Sequence, residues 1–276
     1  MSAPVIEQVV DTQTYRLDDP AVVARARAEL AETGCCVLAD FVRPALRGTL
    51  RAEGAAIAPD AHYDVETVNA YNIPLDADLP AGHPGEITFP RGNAFVPWDR
   101  VPPTAIIHRL YTSAEFQRFV ADCFGLPAVH PLADPLAGLC LNVVRPGMSH
   151  PWHFDTNEFT VSMLTQEAEE GGVFEYCPGI RSAEAENLAD VRAVLDGDTG
   201  PVRRLALRPG DLQLFKGRYS LHRVTEVRGA GQRHSAIFAY SERPGVVGSP
   251  ARTRQLFGRV LPVHEQRSVR GDELLD

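Results

Sequence analysis

Glycine and proline cut the second half of the chain into short apolar segments, and this restricts the possible fold more than any other feature. Leu139–Val144 is one such segment, and Phe159–Thr165, which alternates apolar and polar side chains, is the next. Gly171 and Gly172 turn the chain into Val173–Cys177. Val202–Leu207 follows, Pro209, Gly210 and Asp211 turn into Leu212–Phe215, and Leu221–Val227 and Arg233–Tyr240 complete the series. Short runs of period two bounded by turn residues are strands. Many such strands in succession predict a double-stranded β-helix, the jelly roll. One helical pattern, residues 182–195, interrupts them.

The first half is helical. Asp18 and Asp19 with Pro20 provide an acidic cap and a first-turn proline; Val22, Val23, Ala26 and Leu30 share one face, and Gly34 stops the helix. Cys35–Val42 reads as a short buried strand, Pro44–Ile57 as a second helix, and Ser113–Phe124 as a third, capped by Ser113 with Glu115 and Phe116 in its first turn. Residues 58–104 are irregular and rich in proline and glycine. They carry Tyr71, Asn72, Arg91, Asn93, Trp98 and Arg100, which suit either a substrate wall or a loop packed on the surface. The predicted fold class is therefore mainly β with flanking helices: a jelly-roll core with N-terminal helices packed on one sheet. A single domain is expected, with a helical part over about 1–130, the core over about 131–242 and a tail over 243–276. From Ser249 the tail, with Arg252, Arg254 and Arg259, either covers the active site, meets a partner subunit or ends loosely.

Composition removes some classes of function. With 276 residues the chain can bury roughly three quarters of its unfolded surface and needs no disulfide or structural metal to fold. The net charge of −9 argues against nucleic acid or an anionic membrane as the main partner, but leaves room for a local basic pocket. The five cysteines include no Cys-x-x-Cys pair, as in a reduced cytoplasmic protein. The N-terminus has no signal-peptide pattern and no stretch is apolar enough to span a membrane, so no membrane partner is expected. Oligomeric state is left open.

His153 and Asp155 carry the chemistry. Two apart in an extended segment, they point the same way, and one imidazole with one carboxylate can grip one metal. His222, on a much later strand, is the third candidate. Two histidines and a carboxylate on one face of a metal form the triad of non-haem Fe(II) oxygenases. Eleven residues past His222 lies Arg233, with Ser235 on the same face of its strand. A guanidinium beside a hydroxyl is a receptor for a carboxylate, and the apolar run Ala236–Tyr240 argues against a surface arginine.

On these residues the chain resembles the Fe(II)/2-oxoglutarate-dependent dioxygenase superfamily, across roughly residues 130–242. The surrounding wording, Leu141–Gly147, Trp152–Thr160 and Gly217–Thr225, is similar to the bacterial group that hydroxylates or halogenates free amino acids. A small-molecule partner, an amino acid, is expected on this resemblance alone. The resemblance implies Fe(II) held by His153, Asp155 and His222, with 2-oxoglutarate and O2 taking the open positions. It places the distal carboxylate of 2-oxoglutarate on Arg233 and Ser235. Oxidative decarboxylation to succinate and CO2 would then be coupled to attack on an unactivated C–H bond. Asn142 is either a second anchor for 2-oxoglutarate or a bond between two strands. Halogenating relatives have glycine or alanine at the position of Asp155, so a carboxylate there implies hydroxylation, or desaturation or ring closure, rather than chlorination.

The same resemblance suggests Arg91 for a substrate carboxylate and Asp134 for a substrate amine, with ordinary ion pairs as the competing account. His150 is either a donor near the open coordination site or a solvated loop histidine. Trp98 and Trp152 either wall the pocket or belong to the core. The other histidines, at 62, 83, 108, 130, 234 and 264, read as structural or exposed. Two rival readings are a cupin-type metalloenzyme, which would not need the receptor at Arg233, and a non-catalytic ligand-binding barrel, which would not need three metal ligands.

Overall fold

The computed structural model describes residues 5–265. Seven helices lie among them: α1 (Val5–Val9), α2 (Pro20–Thr33), α3 (Arg47–Ile57), α4 (Ile106–Tyr111), α5 (Ala114–Phe124), α6 (Leu188–Leu195) and α7 (Pro250–Phe257). The strands of the first half are β1 (Cys35–Leu38), β2 (Glu66–Asn69), β3 (Thr88–Arg91) and β4 (Asn93–Val96). Next come β5 (His130–Pro131), β6 (Leu139–Val144), β7 (His150–His153), β8 (Thr160–Gln166), β9 (Glu170–Gly171) and β10 (Phe174–Cys177). After α6 follow β11 (Arg203–Leu205), β12 (Leu212–Phe215), β13 (Leu221–Val224), β14 (Val227–Arg228), β15 (Arg233–Phe238) and β16 (Tyr240–Ser241). None of these helices is long and apolar enough to cross a membrane.

Two antiparallel sheets make the jelly roll. The larger has the order β1-β12-β8-β15-β6-β4 and the smaller β11-β10-β13-β7. Period-two patterning decides what each face meets. On the larger sheet Leu38, Leu139, Leu141, Val143, Val161, Met163, Leu212, Leu214, Ala236 and Phe238 turn outward and join the buried side chains of α2, α3, α4 and α5 in one core. The alternate positions belong to the opposite face and mix buried polar residues, among them Asn142, Gln213, Arg233 and Ser235, with buried apolar ones such as Cys140, Val144, Leu164 and Phe215. On the smaller sheet the face away from the barrel packs Trp152, Cys177 and Leu221 against Val191 and Val194 of α6. Each sheet is thus anchored by helices on its outside, and the space between them holds the polar groups beside a smaller apolar cluster of Cys35, Phe174, Tyr176 and Phe215.

The helix signals act where the sequence places them. Asp19 accepts a hydrogen bond from Ala21 N at 2.9 Å, and Gly34 ends α2 in the left-handed region at φ 68°. Ser113 accepts from Phe116 N, and Gly125 closes α5. Three expectations change. The strand predicted over 35–42 stops at Leu38 because Asp40 turns the chain at φ 56°, its N–H donating to Asp211. The helix predicted over 182–195 begins only at Leu188, after Asn187 takes φ 48°. The stretch 58–104 is not merely irregular: β2 and β3 pair as a hairpin, and β4 adds an edge strand to the larger sheet by pairing with β6.

Candidate metal and cosubstrate site

The register of two adjacent strands starts the site. His222 of β13 stands opposite His153 of β7, so both imidazoles lie on the barrel side, with ring centroids 4.1 Å apart. Each ring is oriented from behind: His153 Nδ1 lies 2.8 Å from Pro151 O and His222 Nδ1 lies 2.8 Å from Ser220 O. A carbonyl can only accept, so each Nδ1 carries a proton and each Nε2 is the ring atom turned to the site. Asp155, just past β7, brings Oδ1 to 3.4 Å from His222 Nε2 and 3.8 Å from His153 Nε2. Its Oδ2 accepts from Thr160 Oγ at 2.6 Å, and its N–H donates to Gly217 O. One ligand atom from each of the three residues falls within 4.8 Å of the others.

The electrostatics suit a cation. Burial alone would raise the Asp155 carboxyl; His222, then His153 and the Thr160 hydroxyl outweigh it and hold the group below the usual carboxylate range. Burial, and then His222, push His153 down, which keeps the ring neutral and ready to ligate. Gly217 is part of the cradle: a Cβ there would lie 1.9 Å from Asp155 Oδ2. Two imidazoles and a carboxylate are the donor set of Fe(II) sites with open positions.

Arg233 and Ser235 lie deeper between the sheets. Arg233 is 4% exposed, donates to Ser235 Oγ at 3.2 Å, and has no carboxylate in ion-pair range among the described residues; burial lowers it to about 10, so it stays charged at neutral pH. It lines a cavity of about 190 Å³ with Leu164, Gly172, Phe174, Leu205 and Leu207. A buried, uncompensated guanidinium is the chemistry of an anion receptor. Asn142 sits directly across from Ser235 and accepts from Asn93 Nδ2 at 3.2 Å, so it does tie β6 to β4 while standing beside the receptor.

A second group gathers around His150. The pairing of β7 with β13 shifts between His222 and Val224, leaving one extra residue on β7. That bulge brings residues three apart to the same side: His150 stacks on His153 with centroids 3.8 Å apart and planes at 19°. Burial lowers His150, with His153, His222, Arg91 and Arg252 adding to the effect, so both arginines lie close enough to act on it. Arg91 is 3% exposed and donates Nη2 to Glu66 and to Gln255 O at 3.3 Å each; its Nε and Nη1 are buried with no partner. Helix α7 completes this wall. Arg252 bonds Asn72 and Gln255, Gln255 donates to Glu66 at 2.7 Å, and Phe257 meets Phe95 edge-on. The tail's helix thus packs beside this group; residues 266–276 lie outside the described ones.

Three predicted residues do not join. Asp134 is fully buried elsewhere: its carboxylate accepts from Leu136 N, Ala137 N and Gly248 N and lies 3.1 Å from His264 Nε2, a clasp for the chain's end with no face for a substrate amine. Trp98 packs edge-on against Tyr111 in the helical core. Trp152, one residue from His153, points to the other face, under α6 and beneath the Arg223 guanidinium. Glu66, Thr160, Gly217 and Gln255 are not singled out by the sequence, whereas Arg252 is named in it only as part of the tail. Thr160 carried a usable signal, a hydroxyl opening the strand after the ligand; the others come together only through tertiary contacts.

The fold is similar to that of an oxidoreductase of the 2OG-Fe(II) oxygenase family from Burkholderia pseudomallei, with a TM-score of 0.53 at 20% identity over 84% of this chain and 96% of that one. AviO1 from Streptomyces viridochromogenes gives a TM-score of 0.55 at 20% identity, over 83% and 96%. HygX from Streptomyces hygroscopicus, solved with nickel and 2-oxoglutarate, gives 0.52 at 14%, over 79% and 86%. The fold is thus that of the 2-oxoglutarate/Fe(II) oxygenases. Within that class the chain belongs to the family described as Halogenase D, which matches residues 93–247. No curated protein matches the sequence.

Two outcomes test the site. Gly217→Ala would displace Asp155 and is expected to weaken divalent-metal binding about 10–100-fold, read by calorimetric titration with Co(II). Arg233→Met removes a buried charge without a counter-ion, so the ligand-free protein should gain about 1 kcal/mol, or about 2–4 °C in Tm. The same variant should lose the thermal stabilisation that 2-oxoglutarate gives in the presence of metal.

Proposed function

We propose that the protein is an Fe(II)- and 2-oxoglutarate-dependent oxygenase that hydroxylates, or otherwise oxidises, an unactivated C–H bond of a free amino acid or a metabolite derived from one. The observation that carries this reading is the convergence of His153, Asp155 and His222 in one barrel with the buried, uncompensated Arg233. A metal site without the anion receptor would fit many enzymes; the pair fits a metal together with a diacid cosubstrate.

When bound, Fe(II), 2-oxoglutarate and O2 supply the oxidising power and leave succinate and CO2. The chain's own residues position and exclude. His153 and His222, held by the Pro151 and Ser220 carbonyls, and Asp155, held by Thr160, are the residues that would hold the metal. Arg233 and Ser235 hold the far carboxylate of the cosubstrate, which orients its 2-oxo acid end toward the triad. Asn142 is placed to add a contact to the cosubstrate.

On the other side the free Nε and Nη1 edge of Arg91, near His150, suits the carboxylate of the substrate. This favours a free acid over a carrier-bound one, whose carboxylate would be masked as a thioester. Phe95, Phe257 and the α7 side chains keep water from this wall.

Asp155 separates two outcomes within the family. The name of the family points to halogenation, but a carboxylate at this position occupies the coordination site that chloride would need, so oxygen transfer is the expected result. With chloride present, the wild-type protein should yield an oxidised but unchlorinated product by mass spectrometry; a chlorinated product from the wild type would overturn the reading of Asp155. Under anaerobic conditions, Fe(II) and 2-oxoglutarate should give a visible charge-transfer band at one iron per chain. Arg233→Ala should need more 2-oxoglutarate to reach it, and failure of the band to form on iron-loaded protein would remove 2-oxoglutarate from the proposal. Arg91→Met should raise KM for the substrate about 10-fold or more, as loss of a charged hydrogen bond worth about 1.5–3 kcal/mol implies, while leaving the charge-transfer band unchanged.

A further inference from the structure

Behind the metal centre lies an arginine that touches both ligand-bearing segments. Arg181 has a fully buried side chain and sits after β10, outside the metal site itself. Its guanidinium carbon lies 3.7 Å over the ring of Phe154, the residue between His153 and Asp155. Its Nε donates to Arg218 O at 2.7 Å, and its backbone N–H donates to Tyr219 O at 3.3 Å. Arg218 and Tyr219 lie between Gly217, which seats Asp155, and Ser220, whose carbonyl orients His222. Glu186 closes the group with an ion pair to Arg181 Nη1 at 3.2 Å.

We propose that Arg181 is a positioning residue that sets the distance between the two halves of the metal triad. Alternate residues of an extended segment point to opposite sides, so a flat cation lying on Phe154 leans His153 and Asp155 toward the barrel. The same cation, through Nε, fixes the Arg218 peptide four residues before His222. Movement of either segment then breaks a stacked cation–π contact or leaves a buried donor unpaired, and both are costly away from water. Arg218 adds a parallel tie, donating Nη1 to Thr156 O at 3.1 Å. Only a planar guanidinium can stack through its face while donating through its edge; a lysine of the same charge can do one of these. This inference rests on the metal-site reading given above.

The test is Co(II) titration of the full-length protein, followed by the ligand-field absorption of the bound ion, beside circular dichroism and Tm of the metal-free form. Arg181→Lys, if folded, is expected to bind Co(II) about 10–100-fold more weakly than wild type, with an altered ligand-field band. Glu186→Gln, which keeps the arginine but loosens its anchor, should shift affinity in the same direction by less. Phe154→Leu should weaken binding too, and combining it with Arg181→Lys should cost less than the sum of the two. A folded Arg181→Lys with wild-type affinity and band, even with a lower Tm, would make Arg181 structural only and overturn the proposal. If Arg181→Lys does not fold, unchanged Co(II) affinity in Glu186→Gln overturns it instead. Failure of the wild type to bind Co(II) would bring down the metal-site reading itself, a different result from either of these.

Discussion

The pairing of His222 with His153 across β13 and β7 sets the position of everything else at this centre. A slip of one residue would turn either histidine to the outer face. Apolar packing opposes that slip: Trp152 of β7 and Leu221 of β13, with Cys177 of the adjacent β10, fill the outer face beneath α6. A shift that hid an imidazole under the helix would bring an indole into the barrel. The metal ligands are therefore held in register by side chains that never approach the metal. The bulge in the same pairing adds His150 to the inner face without disturbing its neighbours.

Charge is distributed along the barrel with the same economy. Asp155 has its histidines and Thr160, and Arg91 has Glu66, but Arg233 has only a hydroxyl. Gly172 allows Arg233 its place, since a Cβ there would come within 3.1 Å of its side chain. A guanidinium kept charged in that setting holds unfavourable energy that an arriving anion relieves. In the proposed role such a receptor would be complete before its ligand arrives, with the surrounding strands supplying the rigidity it needs.

Residues that follow strand parity were legible in the sequence. His153 with Asp155 and Arg233 with Ser235 are each two apart, and each pair shares a face in the structure. The same rule should have excluded Trp152, whose odd offset from His153 turns it away. Asp134 misled for a local reason: an aspartate followed by Pro135 and Leu136 can bond the backbone two and three residues on, and here it does, leaving nothing for a substrate. The hairpin β2–β3, the edge strand β4 and the cluster of Glu66, Asn72, Arg252 and Gln255 left no such signal. Their strands are short and partly polar, and the cluster joins residues up to 189 positions apart. No periodicity records contacts of that kind.

Apart from His150 on β7 and Phe95 on β4, the proposed substrate wall is built from the β2–β3 hairpin and α7, neither of which belongs to the two main sheets. The triad and Arg233 belong to those sheets or to the turns between their strands. Sequence drift in the hairpin and α7 can therefore proceed without loss of the metal or cosubstrate geometry, because these elements share few supports with it. A fold divided in this way is a platform on which selectivity can diverge among descendants while the oxidising machinery is inherited intact.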